Sequence, residues 1–139
     1  MILLSGRNTA LLEGLAQSLG RLGEVRVAEA LVDADELHGL LRPTLLVVAR
    51  EALAADTSRN PNLRSLVGGL PAVVAYHEAG DATPLTTLPP DVSRVVLADL
   101  ELPLERHRLL ALAEHLAGRA RDRGTTPGTP PVQPESPSA

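Results

Sequence analysis

The chain has 139 residues, 44% of them hydrophobic, with a mean hydropathy of +0.06 and a net charge of −4. These values suit one soluble globular domain with a single core and give little reason to expect nucleic-acid binding through the domain as a whole. Cysteine is absent, which excludes disulfides, thiolate chemistry and cysteine zinc sites together; all 13 basic residues are arginine, which excludes any mechanism that needs a lysine ammonium. The apolar runs fall far short of the roughly 20 residues that cross a bilayer, and Ser5-Gly6-Arg7-Asn8 interrupts the apolar start too early for a signal peptide, so no membrane contact and a cytoplasmic location are expected.

Met1-Ile2-Leu3-Leu4 reads as a first buried strand. Asn8 or Thr9 then caps a helix whose apolar residues Leu11, Leu12, Leu15, Ala16, Leu19 and Leu22 follow i, i+3, i+4 spacing, with Gly20 and Gly23 closing it. Glu24 to Ala28 alternates charged and apolar side chains, the pattern of an edge strand with one wet face. Asp33-Ala34-Asp35-Glu36 has the form of a capping box and predicts a short helix through Leu37, Leu40 and Leu41, ended by Pro43. Pro43 to Arg50 is the stretch around which the rest is organised: an unbroken apolar run, Leu45-Leu46-Val47-Val48-Ala49, of the kind buried on both faces in a parallel sheet.

Glu51 to Arg59 is small and polar and predicts a loop with at most a turn of helix. Asn60-Pro61 is a cap followed by proline at the first helical position, starting a helix over Asn62 to Val67 that Gly68-Gly69 stops. Pro71 to Tyr76 is a fourth strand. His77 to Ser93 contains Gly80, Pro84, Pro89 and Pro90, so a full helix is not expected there. Arg94 to Ala98 is a fifth strand, and Pro103-Leu104-Glu105 opens the last helix, with Leu109, Leu112, Ala113, Leu116, Ala117 and Ala120 on one face and Arg119, Arg121 and Arg123 near its negative pole.

From Gly124 the composition turns to Gly, Thr, Pro, Ser and Gln with one valine, too little apolar area to offset ordering entropy; residues 1–123 are read as the domain and 124–139 as a disordered tail. Five strands alternating with helices imply right-handed crossovers and an α/β three-layer sandwich. A strand order of 2-1-3-4-5 puts the alternating second strand on an edge, and the fourth helix is expected to be short or missing.

Element order and spacing resemble the receiver domain of bacterial response regulators (CheY-like), over about residues 1 to 121. Pro43-Thr44-Leu45-Leu46-Val47-Val48-Ala49 is similar to the family's Pro-Asp-apolar run into its phosphorylated Asp. Leu66 to Tyr76, with Pro71 opening a strand, is similar to its fourth strand. Leu102-Pro103-Leu104-Glu105 followed by Leu109-Leu110 is similar to its Lys-Pro-Phe segment. The resemblance implies five working positions. Two acids after the first strand and an acceptor Asp after the third hold Mg²⁺, a cation that wants carboxylate oxygens. A hydroxyl and a lysine after the fourth and fifth strands contact the phosphoryl group. By position these fall on Gly6, Arg7, Ala49, Tyr76 and Leu102, none of which matches, and a shift of one residue restores none of them. The resemblance therefore implies a degenerate pseudo-receiver.

Ser5-Gly6-Arg7-Asn8-Thr9, between strand and helix, reads as an anion site or as a turn and a cap; neither G-x-G-x-x-G nor G-x-x-x-x-G-K-[ST] is present. His38, His77, His107 and His115 lack metal-ligand spacing, and His77 stands just past a strand end. Interleaved with acids, the arginines of the last helix form an ordinary charged face. The leading expectation is a non-enzymatic module without cofactor that acts by contact with a partner protein or by homodimerisation. The prolines near the fourth helix would leave Leu85, Leu88, Leu100, Leu102 and Leu104 as its interface. The alternative is a small-ligand or nucleotide-binding flavodoxin-like protein, whose strand-end crevice draws on Ser5, Gly6, Arg7, Asn8, Ala49, Arg50, Tyr76 and His77.

Overall fold

The computed structural model describes residues 1–39, 42–78, 80 and 88–125, and side chains up to 119. Leu40, Leu41, Leu85 and the tail beyond residue 125 lie outside the described residues.

Five parallel strands, β1 (Ile2–Ser5), β2 (Val25–Ala28), β3 (Leu45–Ala49), β4 (Val73–Glu78) and β5 (Val96–Leu102), form one sheet in the order β2-β1-β3-β4-β5. The apolar run Leu45–Val48 occupies the centre because it can be buried on both faces, and all four residues are. Strand β2 lies on an edge, as its alternation requires, with Arg26 exposed; Val27, expected on the buried face, is exposed as well.

The two faces are covered differently. On one, Leu4, Val47, Val74, Tyr76, Leu100 and Leu102 meet helix α1 (Thr9–Leu19), through Leu12, Leu15 and Leu19, and the final helix, which presents Leu109 and Ala113. The other packs Leu3, Leu46, Val48, Val73 and Ala75 against short pieces. These are two 3₁₀ turns (Leu31–Asp33 and Asp35–Leu37), helices α2 (Arg50–Arg59) and α3 (Pro61–Gly68), and the four-residue α4 (Pro90–Ser93). The final helix is α5 (Arg106–Thr125).

Local chemistry sets these boundaries. Asn8 Oδ1 accepts the backbone N–H of Leu11 at 3.1 Å and Asn60 Oδ1 that of Leu63 at 3.1 Å, so two expected caps are in place. Three expectations are corrected. Asp33 to Glu36 does not cap a helix: the segment forms 3₁₀ turns with no side-chain cap, which still bury Leu31, Ala34 and Leu37. Residues 51–59 are not a loop but belong to α2, whose narrow buried stripe, Leu53, Ala54 and Thr57, holds it to the sheet; the Thr57 hydroxyl donates to the Leu53 carbonyl at 2.6 Å. Strand β5 runs on past Ala98 to Leu102, so Leu100 (2% exposed) and Leu102 (0%) sit under α5 and cannot line an interface of the folded domain. Leu104, at 70% exposure, can, and Leu88 is half-buried against the opposite core. The sequence leaves the fourth helix short or missing, and α4 has only four described residues.

Candidate functional site: the strand-end cleft

In a parallel sheet of this order, the crevice outside the carboxyl ends of the strands is the place for a site. A cleft of about 410 Å³ opens there. Its floor is made by Gly6, Ala49 and Tyr76 at the ends of β1, β3 and β4, with Ala30 beyond β2; one wall is α2, which turns Ala52 and Ala55 inward. The cleft exists because Gly6 and the four alanines are small. Its charges come from the Arg7–Asn8 turn, from Glu29, from Glu51, Asp56 and Arg59 on α2, and from His77 and Glu78 on β4.

Tyr76 is register partner to Ala49 and 2% exposed. A Cβ on Gly6 would stand 2.0 Å from the Tyr76 hydroxyl oxygen, so this hydroxyl fills the space a side chain at position 6 would need. Burial, and then the carboxylates of Glu78 and Glu51, push the phenol up to about 12. Asn8 Nδ2 donates to Glu78 Oε1 at 2.8 Å, tying the start of α1 to the end of β4.

A second charged group lies beside the cleft. Asp99 and Glu101 face the same side of β5, and register places them beside Ala75 and His77. Asp99 Oδ1 is 3.2 Å from His77 Nδ1, its Oδ2 accepts from Arg50 Nη1 at 2.9 Å, and Glu101 Oε1 is 3.8 Å from His77 Nε2. Arg50 is the first residue of α2, so the pair with Asp99 links the cleft wall to the sheet edge. Glu105, at the mouth of α5, accepts the backbone N–H of Glu101 at 2.8 Å; this bond first, and Arg108 second, hold its carboxyl below the usual range.

Of the residues expected to line a crevice, Gly6, Arg7, Asn8 and His77 are brought together. Ser5 is not: it is buried within β1 between Ala28 and Val48. Arg50 turns to Asp99 instead. Of the five receiver positions, Gly6, Arg7, Ala49 and Tyr76 surround the cleft, whereas Leu102 points into the core beneath α5. Glu29, Glu51, Asp56, Arg59 and Glu78 escaped sequence reasoning, most of them because residues 51–59 lacked a helical period. His38, His107 and His115 are exposed and apart from the cleft. Among the described residues no group of three or more His, Cys, Asp or Glu side chains could hold a metal ion, and no helix is long and apolar enough to cross a membrane.

No family model matches the sequence, and no curated protein matches it. Solved structures do. The N-terminal domain of a response regulator/sensory box/GGDEF three-domain protein from Carboxydothermus hydrogenoformans superposes with a TM-score of 0.59 at 15% identity, covering 88% of this chain and 98% of that one. The receiver domain of a signal transduction histidine kinase from Syntrophus aciditrophicus gives 0.54 at 18% identity over 92% and 93% of the two chains. A response regulator receiver domain protein from Clostridium thermocellum gives 0.55 at 13% identity over 88% and 97%. The fold of this chain is thus the CheY-like fold of response-regulator receiver domains.

Proposed function

We propose that the chain is a phosphorylation-independent, non-enzymatic receiver-like module, cytoplasmic and without cofactor, that signals by protein–protein contact with itself or with a partner protein. The observation that carries this is at the cleft floor. Ala49 ends the central strand where an acceptor carboxylate would stand, and the Tyr76 hydroxyl packs on Gly6, in the space beside the positions where metal-binding acids would be. An acyl phosphate needs a carboxylate to form on, and Mg²⁺ needs hard oxygen ligands. Neither is supplied at those positions, and the Arg7 guanidinium there opposes a cation. Leu104, 70% exposed just beyond the end of β5, is the apolar side chain offered to a protein–protein contact.

Incubation with acetyl phosphate and Mg²⁺, followed by intact-mass measurement, is expected to add no phosphate; an acid-labile acyl phosphate on the protein would refute the proposal. Light scattering across a concentration series then separates the two kinds of contact. A dimer that Leu104→Asp converts to a folded monomer identifies self-association. A monomer throughout removes self-association and leaves a foreign partner, whose capture must then be lost in the same variant.

A further inference from the structure

The cleft carries the wrong sign for a phosphoryl group or a nucleotide. Four carboxylates, those of Glu29, Glu51, Asp56 and Glu78, face the guanidinium groups of Arg7 and Arg59 and the imidazole of His77. Outside the cleft, neighbouring opposite charges pair, as in Arg21–Glu114, Arg64–Asp91 and Arg108–Glu105. Within it, among the described residues, only His77 does, with Asp99 and Glu101, which lie outside the lining. Asp56 and Arg59 stand three residues apart on α2, a spacing that allows a pair, yet neither they nor Glu29, Glu51 and Arg7 make an ion pair among the described residues. The excess negative charge reaches the floor, where Glu78 and Glu51 both raise the Tyr76 phenol after burial has done so. Between these charges the walls are the methyl groups of Ala30, Ala49, Ala52 and Ala55, apolar and wide enough apart for a short carbon chain. A volume of about 410 Å³ falls within the range of small-molecule sites. An organic cation, and not a metal ion, suits a site whose carboxylates are spread around a rim with no metal-holding cluster among them.

We propose that the strand-end cleft binds a small organic cation of the amine or guanidine class, about the size of an amino acid. The carboxylates of Glu51, Asp56 and Glu78 supply its counter-charge, and the alanine walls take its carbon chain. Arg7 and Arg59, at the same rim, favour a compound that also carries one acidic group. This goes beyond the contact role above and makes the module responsive to a metabolite; its failure would leave that role standing.

Tyr76 is the single tyrosine in a chain without tryptophan, so its fluorescence reports on the cleft floor. The full chain is titrated with putrescine, arginine, inorganic phosphate and AMP, with calorimetry alongside to detect binding that leaves Tyr76 undisturbed. A saturable response to putrescine and arginine, stronger for arginine, is expected, with none to phosphate or AMP. Glu51→Gln and Asp56→Asn, each checked for native circular dichroism, are expected to weaken it by about twofold to fivefold apiece, the worth of a partly exposed charge pair. No saturable amine binding by either method, amine binding untouched by both variants, or AMP binding tighter than the amines would each overturn the proposal.

Discussion

The two faces of the sheet reach similar burial by different means. The face under α1 and α5 is covered by helices of 11 and 20 residues, long enough to repeat a 3.6-residue period several times and to drive Leu12, Leu15, Leu19 and Leu109 into one layer. The opposite face is assembled from single buried side chains on short supports: Leu31 and Leu37 on 3₁₀ turns, Leu53 on α2, Leu63 and Val67 on α3, Val92 on α4. The long helices fix many contacts at once, and a cavity of about 280 Å³ remains on their side at the other end of the sheet, beside Leu22, Leu45, Ala113 and Leu116. Short pieces leave gaps too, and the strand-end cleft, about 410 Å³, opens where α2 turns alanines toward the strand ends.

The largest expected effect tests where β5 belongs in this comparison. Leu100→Asp would place a charge in the α5 layer at a site 2% exposed, and loss of cooperative folding is expected by circular dichroism, beyond about 4 kcal/mol. Leu104→Asp, at the exposed turn, is expected to stay within about 0.5 kcal/mol of the parent. A folded Leu100→Asp monomer would move β5 out of the core and overturn the assignment of its faces.

Matched truncations then compare the faces directly. Leu12→Ala and Leu53→Ala both remove a fully buried leucine, each costing about 2–5 kcal/mol in denaturant unfolding. The cost depends on how well the surroundings collapse. Leu12, in the core layer shared by α1, α5 and the sheet, is expected near the top of that range, and Leu53, on a helix that buries only Leu53, Ala54 and Thr57, near the bottom. The reverse order would show that the pieced face is the more rigid one.

A smaller effect is expected at the cleft floor. Gly6→Ala forces the Tyr76 ring to shift and is expected to cost about 1–3 kcal/mol. In a Tyr76→Phe background the same change should cost much less, because the next ring atom, Cζ, lies 3.3 Å from the new methyl, where the hydroxyl lay 2.0 Å away. Additivity of the two substitutions in a double-mutant cycle would show that they do not meet.

The comparison of faces also explains what could be read in the sequence. Burial on both sides made the unbroken runs of β1, β3 and β4 visible, and the alternation of Glu24 to Ala28 marked the edge, so strand order followed. Long amphipathic periods exposed α1 and α5. The pieced face offered no period to read. Helix α2 has a mostly small and polar sequence, REALAADTSR, that buries only Leu53, Ala54 and Thr57, and a stripe so narrow resembles a loop. Asp99 and Glu101 look like the start of a loop, so the sequence marks strand β5 only as far as Ala98. They are tolerated in the strand because Arg50 and His77 lie opposite them, a pairing that depends on tertiary register. The cleft shared this fate: its floor residues Gly6, Ala49 and Tyr76 were legible as strand ends, whereas its α2 wall was not.

Helix α5 has one further consequence. Among its described side chains, Leu109 and Ala113 are buried and Leu112 and Leu116 pack partly buried against the core, and its backbone continues to Thr125. At about 1.5 Å per residue the end is roughly 14 Å from Leu116. A tilt of about 10° about that last contact would sweep the end through roughly 2 Å on that geometry, so a small repacking of the α5 layer would be passed on as a displacement of whatever the chain carries after Thr125.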